Sequence, residues 1–372
     1  MLPRHLYVHV PFCARRCSYC DFSIAVRSTV PVREYLDALA TEIAVRYGTG
    51  EAWRLDTLYL GGGTPSRLGA EGIGQLIDIV TARASLEPNA ELTIEANPED
   101  VSVDTVTAWR NAGVNRVSLG AQSFQDAVLS WMHRVHDAAA IPRAVDAIRS
   151  GGIDNISLDL IFALPVALER DWDADLSAAL ALQPQHLSLY GLTVEPHTPL
   201  GRWRERGSIA EAPEEQYAEE FLRAHDILAR AGFEHYEVSN FARPGRASRH
   251  NSAYWTGASY GALGPSAHGF DGDERFWNVA AYAEWLRRLQ DGRNPEGGRE
   301  RPDMEGKRAE AVYLGLRTRS GLMLEGADLA RVQRWITAGW ATLGDGNRLL
   351  LTPQGWLRLD ALASDLTVVR SY

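Results

Sequence analysis

Cys13-Ala-Arg-Arg-Cys17-Ser-Tyr-Cys20 decides how the rest of the chain is read. It contains all three cysteines of the 372 residues, spaced C-x-x-x-C-x-x-C on a segment short enough to form one tight loop. Three thiols packed together with none elsewhere make no disulfide framework and have the pattern of metal ligands. An iron–sulfur cluster ordinarily takes four cysteines, so three thiolates can hold three irons of a cubane and leave the fourth without a protein ligand. Such a vacancy at a metal is where a small molecule binds. The rival reading of the same residues is a zinc site with His9 as fourth ligand, although zinc ligands come more often as paired C-x-x-C units.

Leu6 to Val10, just before the cysteines, is the first of six short apolar or β-branched runs. The others are Asp56 to Leu60, Glu91 to Ala96, Asn115 to Gly120, Asn155 to Ile161 and His186 to Gly191. Between them lie stretches of helical period, such as Val32 to Tyr47, where Tyr35, Leu36, Leu39 and Ile43 share a face, and Val103 to Asn111 before the turn at Gly113. Alternation of this kind predicts parallel β/α units, and six of them predict an α/β fold of partial (β/α)6 barrel type. After Gly191 the alternation breaks. A long helix is expected from Glu214 to Ala231, and Tyr236 to Gly269, rich in Gly, Ser, His and aromatic residues, reads as surface loops with a functional role. Gly344-Asp-Gly-Asn347 followed by Arg348 to Leu351, with Thr352 and Pro353 at helix-start positions, outlines a C-terminal α+β, winged-helix-like accessory domain. The expected divisions are a core over 1–235, a connecting region over 236–300 and the accessory domain over 301–372.

Parallel α/β architectures place their chemistry at the C-terminal ends of strands. The cysteines follow the first run, Gly61-Gly62-Gly63-Thr64-Pro65 follows the second, Glu95 ends the third, Gln122 follows the fourth and Asp159 lies late in the fifth. S-adenosylmethionine fits the vacant iron through its amino and carboxylate groups, and a reduced cluster then supplies the electron that cleaves its carbon–sulfur bond. The glycines would let backbone amides approach its amino-acid moiety, Glu95 would take the ribose hydroxyls, Arg134 the carboxylate, and Gln122 and Asp159 further polar edges. Taken singly, each of these is also an ordinary polar residue at a strand end.

The run Tyr7-Val-His-Val-Pro-Phe-Cys-Ala-Arg-Arg-Cys-Ser-Tyr-Cys-Asp-Phe22, with Gly-Gly-Gly-Thr-Pro, Glu-Ala-Asn-Pro and Ser157-Leu-Asp-Leu-Ile161, resembles the radical SAM group of the oxygen-independent coproporphyrinogen III oxidases (HemN) and the HemW-type haem chaperones. The resemblance covers nearly the whole chain. HemN-type sequences carry a further cysteine, C-x-x-x-C-x-x-C-x-C, and a longer N-terminal extension, whereas here Asp21-Phe22 follows Cys20. His250-Asn-Ser-Ala-Tyr-Trp255 matches the H-N-x-x-Y-W motif of the HemW type, and Leu192-Thr-Val-Glu-Pro196 and Leu314-Gly-Leu-Arg317 are similar to it as well. The resemblance implies a haem chaperone holding a [4Fe–4S] cluster on Cys13, Cys17 and Cys20. S-adenosylmethionine would lie against Tyr7, Gly62, Gly63, Thr64, Glu95, Gln122, Arg134 and Asp159, with Tyr19 beside them. Haem would be held through His250, Asn251, Tyr254 and Trp255, with His268, His235 and His9 as competing ligands. Its implied partners are haem-accepting respiratory proteins, at the membrane surface or elsewhere. The alternative within the group is an enzyme, the oxidase that decarboxylates coproporphyrinogen III. From spacing alone, His250 also reads as a capping or hydrogen-bonding residue and Tyr254 with Trp255 as cover for the barrel edge. One departure from the group is Ala163-Leu-Pro-Val166, where its pattern is G-L-P-G.

Composition narrows the class further. Lys plus Arg number 38 against 48 Asp plus Glu, a net charge of −10 that argues against nucleic acid as a partner. With 45% hydrophobic and 23% charged residues the chain has the composition of a folded globular protein. It shows no apolar stretch of membrane-spanning length and no cleavage-site pattern near its start. The expectation is a soluble cytoplasmic protein, with peripheral membrane contact left open.

Overall fold

The computed structural model describes residues 2–370 except 49, 51 and 327; Met1, Ser371 and Tyr372, at the ends of the expected domains, lie outside them. The six anticipated strands are β1 (His5–Val10), β2 (Trp53–Gly62), β3 (Ala84–Ala96), β4 (Arg116–Gln122), β5 (Ile156–Phe162) and β6 (His186–Gly191). They pair side by side in that order, all parallel. Helices α1 (Val32–Tyr47), α2 (Gly69–Thr81), α3 (Val103–Asn111), α4 (Ala140–Ser150), α5 (Trp172–Ala181) and α6 (Glu214–Arg230) connect or follow them. Side chains capping α3 and α5 come from Ser102 and Asp171, which accept hydrogen bonds from the amides of Thr105 and Ala174.

The two faces of this sheet differ in kind. Leu6, Val8, Leu58, Leu60, Leu92, Ile94, Val117, Leu119, Leu158, Leu160, Leu187 and Leu189 are buried in one core with Tyr35, Leu39, Ile73, Leu76, Trp109, Val145 and Leu176 of the helices. Burying a side chain of this size contributes about 1.5–3 kcal/mol, so the outer face is what holds the architecture together. The intervening residues are polar: His5, Tyr7 and His9; Thr57 and Tyr59; Glu91, Thr93 and Glu95; Arg116 and Ser118; Ser157 and Asp159; His186, Ser188 and Tyr190. They meet one another across the strands, as where Tyr59 donates to Glu95 at 2.9 Å and Ser118 to Asp159 at 3.1 Å. Because the period along a strand is two residues, one sequence builds an apolar exterior and a polar interior.

The stretch expected to be loops is instead largely ordered. It contains β7 (Glu234–Glu237), β8 (Asn240–Ala242), helix α7 (Arg249–Trp255), β9 (Tyr260–Leu263) and β10 (His268–Phe270), followed by β11 (Arg275–Asn278), α8 (Tyr282–Gln290) and β12 (Glu296–Glu300). Strand β9 is a seventh parallel strand, on β1, and β10, β11 and β12 extend that edge in antiparallel fashion. On the other edge β8 pairs antiparallel with β6 and with β7. The sheet is twelve strands across, ordered β12-β11-β10-β9-β1-β2-β3-β4-β5-β6-β8-β7, and among the described residues its two edges do not pair, so the barrel stays open. These strands of three to five residues have too little length to show a period, and Gly261, Gly269 and Gly298 sit within them.

The C-terminal segment has its own sheet. Strands β13 (Leu322–Met323), β14 (Ala341–Gly344) and β15 (Arg348–Leu351) pair in the order β13-β15-β14, with α9 (Met304–Arg317), α10 (Asp328–Thr337) and α11 (Leu359–Arg370) around them. Thr352 caps the turn of helix that starts at Pro353 by accepting from Gly355 N at 3.2 Å. Arg317 at the end of α9 lies 4.2 Å over the Trp255 ring and 3.0 Å from the buried Glu237 carboxylate, tying this segment to α7 and β7. Among the described residues no helix is long and apolar enough to cross a membrane.

Candidate cofactor-binding cavity

The cysteine loop leaves the C-terminal end of β1 and is closed at its base. Phe12–Cys13 pairs with Ala25–Val26, Ala25 N donating to Pro11 O at 2.7 Å and Arg27 N to Cys13 O at 3.0 Å. Arg16 Nη1 donates to Cys20 O at 3.2 Å, and Ser18 is held from two sides, giving its amide to Met132 O and accepting from Leu200 N. A cavity of about 310 Å3 opens beside this loop, lined by all three cysteines. Tyr19 of the same loop lines it too, with Gly62, Gly63, Thr64, Glu95, Gln122, Arg134 and Asp159 from the ends of β2 to β5 and the loops after them.

Arg134 is the cation of the cavity. Its guanidinium donates to Cys17 Sγ at 3.4 Å, to Asn97 Oδ1 at 2.5 Å and to Gly120 O at 3.0 Å, while Nε is buried without a partner. Burial works against its charge, but Tyr19, Cys17 and Glu99 close by outweigh this and hold it protonated. Burial pushes the Cys13 thiol up and that of Cys20 up to about 11, a cost that a cation bound between them would offset. Cys13 Sγ also lies 3.5 Å from Thr64 Oγ1.

The carboxylates sit deeper. Glu95 accepts from Tyr59 OH and from Gly62 N, both at 2.9 Å, and burial raises its carboxyl to about 7. Asp159, raised by burial, accepts from Ser118 at 3.1 Å and from Ser157 at 3.3 Å. The glycine run answers to a constraint nearer than any ligand. A Cβ on Gly62, at φ +110°, would stand 2.5 Å from the His9 ring, and one on Gly63 2.6 Å from the Pro11 backbone. Bare backbone is thus required for β2 to pass β1 at the root of the cysteine loop.

Other expected residues are elsewhere. Tyr7 does not line the cavity; it stacks on Tyr59 and hydrogen-bonds His9 Nδ1 at 3.1 Å. His9, the fourth ligand of the zinc reading, is also hydrogen-bonded through Nε2 to Ser23 O and is not part of the lining. The H-N-x-x-Y-W residues form helix α7, which plugs the opposite, N-terminal end of the polar interior. Glu91 on β3 caps it by accepting from the amides of Arg249 and His250 at 3.0 Å each. His250 is 1% exposed, with Nδ1 2.6 Å from Thr57 Oγ1 and Nε2 2.8 Å from Tyr254 OH. Both nitrogens are engaged, and burial lowers its pKa to about 3. Asn251 gives its amide to Ser248 Oγ, and Trp255 faces Arg317. The structure therefore does not bring His250, Asn251, Tyr254 and Trp255 to the cavity.

Among the lining residues that escaped the sequence reading are Asn97, Ser118, Tyr190 and His133. The first three had a signal, since Asn97 belongs to the Glu-Ala-Asn-Pro run and Ser118 and Tyr190 fall on the polar repeat of their strands. His133 had none.

Residues 7–179 match the profile of the radical SAM superfamily. The haem chaperone HemW of Mycobacterium tuberculosis is 36% identical to this chain in an alignment covering 98% of the chain and 95% of that protein. The haem chaperone HemW of Synechocystis is 37% identical over 87% of this chain and 80% of its own. The chain belongs to the HemW family. The relation extends to the HemW of Escherichia coli, 36% identical over 72% of this chain and 70% of that one. In fold, the family member described here is similar to coproporphyrinogen III oxidase (HemN) of Escherichia coli, a radical SAM enzyme, with a TM-score of 0.83 and 22% identity over 98% of this chain and 90% of that one. This agreement covers the α/β architecture from the first strand to the C-terminal helices. For a HemW family member within the radical SAM superfamily the implied cofactors are a [4Fe–4S] cluster and S-adenosylmethionine. The cavity suits that pair: three thiols, a buried guanidinium beside one of them and two buried carboxyls line one space, and the chain has no fourth cysteine.

Proposed function

We propose that this protein is a haem chaperone of the cytoplasm that binds haem and passes it to haem-accepting respiratory proteins. In this reading the cavity holds a [4Fe–4S] cluster on Cys13, Cys17 and Cys20, and S-adenosylmethionine on the side of Gly62, Thr64, Glu95, Gln122, Arg134 and Asp159. What carries it is the near full-length relation to HemW haem chaperones together with one cavity that gathers all three cysteines of the chain. When bound and reduced, such a cluster would be a source of single electrons beside the sulfonium of S-adenosylmethionine. The chain's own residues bind and orient. Arg134 neutralises charge at the Cys17 thiolate and sets a guanidinium in the lining for a carboxylate, the strongest kind of contact it makes. Glu95 and Asp159, fixed by Tyr59, Gly62, Ser118 and Ser157, present acceptors to hydroxyls or amines deeper in the cavity.

The test is a haem titration of the anaerobically reconstituted chain, run beside an anaerobic assay with coproporphyrinogen III. Saturable haem uptake without formation of protoporphyrinogen is the expected result. Turnover of coproporphyrinogen with no stable haem complex would replace the chaperone by the oxidase.

A further inference from the structure

We propose that His133 is the axial ligand to the iron of a haem seated at the mouth of the cluster cavity, an inference that rests on the haem-chaperone reading above. Of the ten histidines, His133 is the one found in the lining of that cavity among the described residues. Its ring is half-buried, meets Trp203 edge-on at 5.4 Å, and has no hydrogen-bond partner among the described residues, so a ring nitrogen lone pair is available. By contrast, His9, His136, His186, His235 and His250 are buried with both ring nitrogens in hydrogen bonds. His268 is exposed but stacks on Trp277, away from the lining.

Two further observations place a flat, largely apolar ligand with acidic edges there. Three large apolar side chains in this lining stay exposed: Phe22 is 57% exposed, Val135 47% and Tyr190 45%. Apolar surface gathered around a cavity marks a binding site. On the same rim Arg15 is exposed and forms no ion pair among the described residues, which leaves its guanidinium for a carboxylate such as a haem propionate. The backbone adds a third. His133 has φ +59°, in the left-handed region that costs a residue with a Cβ about 1–2 kcal/mol. Strain of this kind persists where the surroundings impose it, and it clusters at ligand sites. Here it sets the ring beside Val135 and Arg134 at the mouth. Coordination needs no redox partner: the imidazole nitrogen donates its lone pair to iron in place of water and the electron count of the metal is unchanged.

The experiment titrates haem into the full-length, cluster-loaded wild type and into His133→Gly and His133→Ala. Glycine accepts φ +59° without strain and no hydrogen bond is lost, so thermal melting of His133→Gly should match or exceed wild type. The expected result is a shifted Soret band and haem affinity lower by about tenfold or more in both variants, with added imidazole restoring the wild-type band position. A His133→Gly protein that takes up haem with wild-type spectrum and affinity overturns the assignment. If the wild type itself takes up none, the chaperone reading falls, a result distinct from a binding wild type with indifferent variants.

Discussion

Arg134 donates through Nη1 to Cys17 Sγ at 3.4 Å, which joins the loop after β4 to the cysteine loop after β1 by a charge-assisted contact. The same guanidinium is tied to Asn97 and to the Gly120 carbonyl, so it reaches the cavity already oriented.

Replacing it has two consequences. Arg134→Ala removes donors to a charged partner worth about 1.5–3 kcal/mol, so S-adenosylmethionine affinity should fall by roughly ten- to a hundredfold. The Cys17 thiolate also loses its counter-charge, so the variant's cluster should bleach faster in air than that of wild type. Equilibrium binding and absorbance decay measure the two separately. Wild-type affinity in the variant would show that Arg134 serves the loop and not the ligand.

Glu95 gives a pH signature to the cofactor-free protein. Its carboxyl titrates at about 7 when folded against a usual 4.5, with burial as the main cause, so between those values the folded chain keeps a proton that the unfolded chain has released. Its contribution to stability is full below the unfolded value and is lost as the pH rises through 7. Glu95→Gln should therefore raise the melting temperature at about pH 8 and change it little at about pH 5. Melts of the apo-protein at the two pH values decide this; equal shifts at both would place the Glu95 titration elsewhere.

His250→Ala should behave as a core mutation. It leaves Tyr254 OH without its imidazole partner and Thr57 Oγ1 with only that of His5, at a cost of about 2 kcal/mol, whereas Tyr254→Phe, losing one hydrogen bond, should cost about 1 kcal/mol. Denaturant unfolding gives both values. Haem binding to Tyr254→Phe should keep its Soret position, and a shift there would bring the α7 motif back as a haem site.

Ala163 holds φ +56° at the place where the related pattern has glycine, its amide donating to Glu220 Oε2 at 2.8 Å. Ala163→Gly should stabilise the chain by up to about 1 kcal/mol, because relief of the left-handed strain exceeds the added chain entropy. A lower unfolding midpoint would mean that the Ala163 methyl group, buried in the core, outweighs the strain.

The six parallel strands could be read from the sequence because their outer positions are Leu, Val and Ile while polar residues alternate with them, and β6 and α3 have the anticipated bounds. The starts of β2 and β3 could not, because Arg54, Asp56, Glu87, Pro88 and Asn89 interrupt the apolar pattern that long-range pairing overrides. Helix α7 was missed although Ser248 is a capping residue, since seven residues give less than two full turns of period. The cluster loop was legible from thiol spacing alone. The reason for Gly62 and Gly63 was not, because the atoms they would strike belong to His9 and Pro11, some fifty residues earlier. His133 carries no local pattern; only the cavity singles it out.

A cluster with one iron open to S-adenosylmethionine should show itself in electron paramagnetic resonance of the reduced, anaerobically reconstituted protein. The spectrum is recorded with and without S-adenosylmethionine, beside an iron and sulfide count on wild type and Cys17→Ala. The expected result is about four irons per wild-type chain, a spectrum that changes when S-adenosylmethionine is added, and loss of most of the iron in Cys17→Ala. A spectrum indifferent to S-adenosylmethionine, or a full iron complement in Cys17→Ala, would contradict it.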